Sequence, residues 1–414
     1  MRLPAVNNQL MLVFSVNFVI LSIGMGLFPV LPLYATDLGA STTLVGIYLG
    51  LTYASITFGT LVFGWLAARI PHRRILAGAG LAGMVALILM GQVTNVWHLI
   101  LLTGIVWFAG GIGLSLGNVL TGMLANKTHR GKSFSLMSLS MPLGSLAGGA
   151  VVSQIVAWKG YPLMFVVLGA SWLIIPLAAW KLEDCTLAGK RLAGNDSDRL
   201  SPMSSAFYAF ALVTLLSTVA TNIGRLGISL AMHSLEFSAS DVASTATFSG
   251  LVSVPVVVLV GPISDRLPRR HVLAFTYGLV VCGALTLVVA TQLWHFWLAA
   301  TLLLVGRVVN SALGAALVTD FLRPEELIRG LSRLNTVGWS TGVATFTTGG
   351  FLFGRLGAAP VFVAAAVCAA MAAVQLEWVG RDFVPREMVR HAVDDVKRIT
   401  QTHLPVRADP KSKS

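Results

Sequence analysis

Two arginines sit where a charge is costly. Arg225 and Arg307 interrupt the long apolar runs 206–233 and 294–321. A guanidinium stays protonated there and favours a carboxylate or phosphate through paired hydrogen bonds. Each arginine continues a polar stripe. Thr214, Ser217, Thr218, Thr221, Asn222 and Arg225 step by three and four, which places them on one face of a helix. Arg307, Asn310, Ser311 and Gly314 repeat the pattern. Such a face lines water, a ligand or another helix rather than lipid. Two readings stand: a ligand cavity, or hydrogen bonding between helices. The cavity reading gives recognition of an anionic or zwitterionic small molecule.

The residues needed for bond-making chemistry are not grouped. The eight histidines lie mostly in loops or at the ends of apolar runs, with no paired carboxylate nearby. Cys185, Cys282 and Cys368 fit no metal or redox spacing. No phosphate-binding glycine loop is present, so ATP hydrolysis within this chain is not expected. The chain does not read as an enzyme, and no cofactor or metal is expected.

The elements that must position these groups are plain from composition. The chain has 414 residues, 55% hydrophobic and only 11% charged, with a mean hydropathy of +0.79. A soluble domain carries about 25% charged residues. A spanning helix needs about 20 mostly apolar residues. Twelve stretches qualify: 9–34, 43–68, 75–93, 97–124, 133–157, 161–180, 206–233, 242–264, 272–291, 294–321, 331–355 and 358–379. They are too long and too continuously apolar for barrel strands. The expected fold is an all-α membrane protein. None of the 17 acidic residues lies mid-span in the first six stretches; Asp37, Asp320 and Glu377 fall at span ends.

Polar segments divide the chain. Residues 1–180 form a first six-helix half, 181–205 a cytoplasmic central loop, 206–379 a second half and 380–414 a cytoplasmic tail. Within the tail, Val384, Met388, Ala392, Val396 and Ile399 fall at helical spacing. A surface amphipathic helix and a solvated tail both fit. The formal charge is +12. With the N-terminus inside, 25 of the 29 Lys and Arg are cytoplasmic; the exceptions are Lys159, Arg225, Arg307 and Arg355. The excess is therefore a topology signal and not a nucleic-acid surface. It predicts a multi-pass protein of the cytoplasmic membrane with both termini inside. Trp65, Trp97, Trp158, Trp180, Trp294, Trp297 and Trp378 lie near the ends of the stretches, as interfacial belts do.

An internal repeat links the halves. Gly64, Arg69, Pro71 and Arg73 recur as Gly261, Arg266, Pro268 and Arg270, an offset of 197 residues. Arg130-Gly131 and Arg329-Gly330 follow the fourth and tenth stretches, and Gly144 corresponds roughly to Gly342. On these motifs, the twelve stretches and the central loop, the whole chain resembles the major facilitator superfamily. The family's loop signature reads G-x-x-x-D-R-x-G-R-R. The second copy keeps its acid as Asp265, whereas the first has Ala68, and both replace the later glycine with proline. The resemblance implies two pseudo-symmetric six-helix bundles. It also implies that Gly64, Arg69, Arg130, Gly144, Gly148, Gly261, Asp265 and Arg266 take part in conformational gating, with Asp265 and Arg130 as a locking pair. A carboxylate near a helix N-terminus is favourable; Ala68 cannot supply one.

Gly144-Ser145-Leu146-Ala147-Gly148-Gly149 is similar to the G-P-x-x-G-G motif of drug:proton antiporters, with Ser145 in place of proline. Close packing by Gly144 and Gly148 explains it equally well. By the same resemblance helices 1, 4, 7 and 10 surround a central cavity. Substrate-binding candidates are then Asn17, Trp107, Thr214, Thr218, Thr221, Asn222, Arg225, Arg307 and Asn310. Trp172 and Trp339 are further mid-helix aromatics that suit either an aromatic wall or core packing. Arg307-Val308-Val309-Asn310-Ser311 is loosely similar to the family's R-x-x-Q-G motif of helix 4; helix 4 here has Val106 in its place, and so lacks that proton-relay arginine. The function implied is secondary transport by alternating access, most simply proton-coupled efflux of a small organic molecule by a monomer. Uptake or exchange of an organic anion is the alternative, and a membrane-embedded enzyme or a non-transporting sensor on the same scaffold comes last.

Overall fold

A computed structural model describes residues 8–67, 69–124, 130–183, 203–322 and 327–381. The amphipathic tail pattern lies outside these residues. Among the described residues, thirteen helices build twelve spans: α1 Asn8–Leu27, α2 Leu31–Asp37, α3 Thr42–Leu66, α4 His72–Met90, α5 Val96–Leu124, α6 Arg130–Trp172, α7 Ile174–Lys181, α8 Ser205–Ser234, α9 Ala239–Arg266, α10 Arg269–Val288, α11 Leu293–Phe321, α12 Leu327–Leu356 and α13 Ala358–Arg381. The expected spans are present, with two differences inside them.

The first expected span, 9–34, is broken into α1 and α2 at Phe28–Val30. Pro29 has no N–H for the helical ladder and crowds the preceding turn, so α1 stops and α2 restarts with Pro32 in its first turn. Spans five and six run together within α6. Gly160 separates them with φ 73°, in the left-handed region that glycine adopts without strain. Among the described residues, ten stretches are long and apolar enough to cross a membrane, and one of them, Met137–Lys181, covers two spans. The twelfth span is α12, kept off that set by residues such as Asn335, Ser340, Thr341 and Thr345.

Trp65, Trp97, Trp158, Trp180, Trp294 and Trp378 are exposed at helix ends. The loop arginines Arg69, Arg73, Arg74, Arg266, Arg269 and Arg270 share one end of the bundle, here called the basic end.

The halves meet along two seams, α3 on α12 and α6 on α9. Glycines allow the contact. A Cβ at Gly46 would overlap the Gly350 backbone, one at Gly149 would overlap Thr247, and one at Gly250 would overlap Leu146. Ser145 Oγ donates to the Ala246 carbonyl at 2.8 Å, and Ser240 Oγ to the Ser153 carbonyl at 2.9 Å, both between α6 and α9. These contacts run from mid-span to the end opposite the basic one. Gly144 and Gly148 serve a different contact: any Cβ there would collide with the backbone of Leu21 and Ser22 on α1, within the same half.

Candidate functional site

A cavity of about 700 Å³ lies between the halves. It reaches from Met25 and Arg225 near mid-span towards the basic end, as far as Asn118, Met137 and Leu334. Asn17, Trp107, Thr214, Thr218, Thr221, Asn222, Arg225, Arg307 and Asn310 all line it, as do Trp172 and Trp339. The stripes of α8 and α11 therefore face one space, joined by residues of α1, α3, α5, α6, α10 and α12.

The arginines form its charged centre. Arg225 Nη1 donates to the Tyr53 hydroxyl at 2.8 Å and Arg307 Nη1 to the same oxygen at 3.3 Å. Two guanidinium nitrogens thus lie no more than about 6 Å apart. Two unit charges at that distance repel by about 3 kcal/mol at an effective dielectric of ~20. The Arg225 guanidinium carbon lies 3.9 Å above the Phe28 ring, whose face attracts cations, and its Nη2 approaches the Met25 sulfur at 4.0 Å. Among the described residues, no carboxylate lines the cavity. A hydroxyl, a sulfur and a ring face stand in for a counter-ion.

Polar groups continue around the arginines. Asn310 accepts from the Tyr277 hydroxyl at 2.7 Å. Asn222, one turn before Arg225, is 1% exposed, and both polar atoms of its side chain lack a partner. Asn17 donates to the Met137 sulfur at 3.4 Å while its Oδ1 has no partner. Buried polar groups normally find partners, so these amides hold unused hydrogen-bonding capacity in the wall of the cavity.

The gating candidates are less grouped. Gly64 and Arg69 lie exposed near the end of α3, where the Arg69 guanidinium sits 4.1 Å from the Trp65 ring centre. Arg266 is exposed at the end of α9. Arg130, Gly261 and Asp265 fall within α6 and α9, but the expected Arg130–Asp265 pair lies outside the described side chains.

Sequence reasoning passes over Tyr53 and Phe28. A tyrosine in an apolar run carries no cost that flags it. Phe28 has one available signal: it stands 197 residues before Arg225, at the same place in the repeat.

The sequence profile of the Major Facilitator Superfamily matches residues 12–190 and 200–404. The chain belongs to this superfamily. Among its relatives, the multidrug resistance protein MdtG of Proteus mirabilis is 23% identical over 71% of this chain and 75% of its own length. A chloramphenicol resistance protein of Pseudomonas aeruginosa is 25% identical over 81% of this chain and 80% of its own. Among solved structures, a mutant of the nucleoside transporter NupG superposes with a TM-score of 0.74 at 13% identity, covering 90% of this chain and 100% of the other. The superfamily member described here is thus a multi-pass membrane protein with the family's two six-helix bundles, and its family and fold are those of transporters.

Proposed function

We propose that this transporter exports small organic molecules bearing an anionic or zwitterionic group across the cytoplasmic membrane, by alternating access and in exchange for protons. One observation carries the anionic preference: two guanidiniums face the cavity, and no described carboxylate lines it. A carboxylate bound between them would replace a neutral hydroxyl with a full counter-charge, and charge-assisted hydrogen bonds are about twice as strong as neutral ones. Trp107 and Trp339 line the cavity and offer flat apolar surface for the rest of the molecule. The resistance names of the relatives support export.

In this reading the positive loops place the basic end and both termini in the cytoplasm. The cavity then faces the cytoplasm and the glycine seams close the outside. The two halves rock about the site, each monomer working alone. The loop motifs at Gly64–Arg69 and Gly261–Arg266, with Arg130, act as gating elements at the cytoplasmic face, and Gly144 and Gly148 keep α6 against α1 as the half moves.

The test is flux in proteoliposomes under an imposed proton gradient, with acidic, zwitterionic, neutral and cationic compounds. Arg225→Gln and Arg307→Gln should reduce transport of acidic compounds far more than of neutral ones. Equal loss for all compounds, or a preference for cations, defeats the reading. Uptake or exchange of an organic anion is favoured by one feature, the same shortage of a titratable acid along the cavity. Flux that ignores the proton gradient would select it.

A further inference from the structure

We propose that Tyr53 is a specificity-determining residue: its hydroxyl occupies the anion position between Arg225 and Arg307, and an anionic substrate displaces it. The inference rests on the anionic reading of the cavity and adds how such a substrate would be told from a neutral one.

Three observations support it. First, the bridge crosses the halves. Tyr53 belongs to α3, whereas Arg225 and Arg307 belong to α8 and α11. The hydroxyl oxygen takes a hydrogen bond from each guanidinium, at 2.8 and 3.3 Å. A hydroxyl oxygen has two lone pairs, so its acceptor capacity is used at this point. That is the contact a substrate oxygen would make.

Second, packing aims the hydroxyl. The Tyr53 ring is 6% exposed and lies 4.8 Å from Phe346, 5.6 Å from Trp339 and 6.3 Å from Phe28, between ring centres. It fills a notch in α12 at Gly342, where a Cβ would overlap the ring. Tyr53 therefore belongs to the α3–α12 seam itself. Releasing its hydroxyl loosens a tie between the halves about two helical turns from the glycine contact of Gly46 with Gly350.

Third, a partner for the incoming group is waiting. Asn222 lines the same cavity one turn from Arg225, buried and with both side-chain polar atoms unpaired. An anion reaching the guanidiniums gains an amide donor there that Tyr53 does not use.

The consequence is a filter built on charge. A carboxylate outcompetes a neutral phenol for the guanidiniums. An amide or alcohol of the same shape does not. Only the anion frees the bridge, so only the anion shifts the equilibrium towards opening of the closed end.

The experiment uses the full chain in nanodiscs, with spin labels at exposed Gln92 and Ala359, one on each half at the end opposite the basic loops. The probes are phenylacetate and phenylacetamide. In the wild type, phenylacetate should lengthen the label distance and phenylacetamide should not. In Tyr53→Phe the longer distance should already be present without ligand, and phenylacetate should bind about tenfold more tightly, the size of one hydrogen bond to a charged group. Gly342→Ala, which pushes the ring from its notch, should move both readouts in the same direction. A Tyr53→Phe distribution identical to the wild type, or phenylacetate binding that is unchanged or weaker, overturns the displacement while leaving the anion reading intact. Wild type that binds both probes equally defeats the anion reading itself.

Discussion

The two halves share a scaffold but not a chemistry. The 197-residue offset pairs Asn17 with Thr214 and Phe28 with Arg225, and the place of the Arg307 motif in the first half is held by Val106. At each of the last two places the second half carries a charge and the first half carries an apolar or small residue. Phe28 and Arg225 are also in contact, the guanidinium lying 3.9 Å over the ring. The repeat thus lays a cation against the face of its own counterpart, across the interface between the bundles. The lesson is physical: pseudo-symmetry fixes where the helices run, while each inward position is free to differ. A charge in the membrane interior is costly, and one half bears that cost while the other supplies rings and a hydroxyl to offset it.

The sharpest way to break this comparison is to move the charge. Arg225→Phe should reduce transport of acidic substrates by more than about hundredfold, since losing one partner of a buried charged contact costs about 2–5 kcal/mol. Adding Phe28→Arg to that variant returns the cation to the other half. It should restore less than about a tenth of the lost activity, because residue 28 stands in the break between α1 and α2, whereas Arg225 is held inside α8. Full recovery in proteoliposome flux would mean that the cavity needs only a net charge, and that its placement on one half carries no meaning.

Arg307 gives a smaller test of the same idea. Its one described hydrogen bond to Tyr53 is longer, 3.3 against 2.8 Å, and no ring face is described beneath it. Arg307→Gln should therefore cost acidic substrates about tenfold, less than Arg225→Gln in a side-by-side flux assay. The reverse order would place the principal anion contact on α11.

Both arginines are legible in the sequence because a charge within an apolar run stands out by its cost. The twelve spans are legible for a related reason: each apolar run is long enough to cross a bilayer and is bounded by polar or charged residues. The break at Pro29 is not, because apolar composition continues through it from Leu27 to Leu33. Tyr53 is not either. Tyr48 and Tyr53 occupy the same apolar run, yet the Tyr48 hydroxyl pairs with Thr103 at 2.9 Å inside its own half, while that of Tyr53 crosses to the other. Only the arrangement of the two bundles separates them.

Phe28→Leu removes the ring beneath Arg225 and keeps an apolar side chain in its place. A cation–π contact contributes about 0.5–2 kcal/mol, so affinity for acidic substrates should change by about twofold to thirtyfold, with neutral substrates affected equally or less. Binding titrations on the purified variant decide this. A loss as large as that of Arg225→Phe would show that Phe28 holds the break between α1 and α2 rather than the guanidinium.

The smallest expected effect lies on the seam, away from the charge. Ser145 stands where the similar antiporter motif has proline, and its hydroxyl donates across the halves to the Ala246 carbonyl at 2.8 Å. Proline has no such donor, so this tie is a local property of the chain. Ser145→Ala keeps the small side chain that the α6–α9 contact requires and removes only the hydrogen bond, a change of about 1 kcal/mol. Label distances at the end opposite the basic loops should shift towards the open form by about fivefold in population. The ratio of acidic to neutral transport should stay constant, because Ser145 does not line the cavity. If that ratio moves, seam and charge centre are coupled through more than Tyr53, and the division of labour between the halves is less clean than their residues make it.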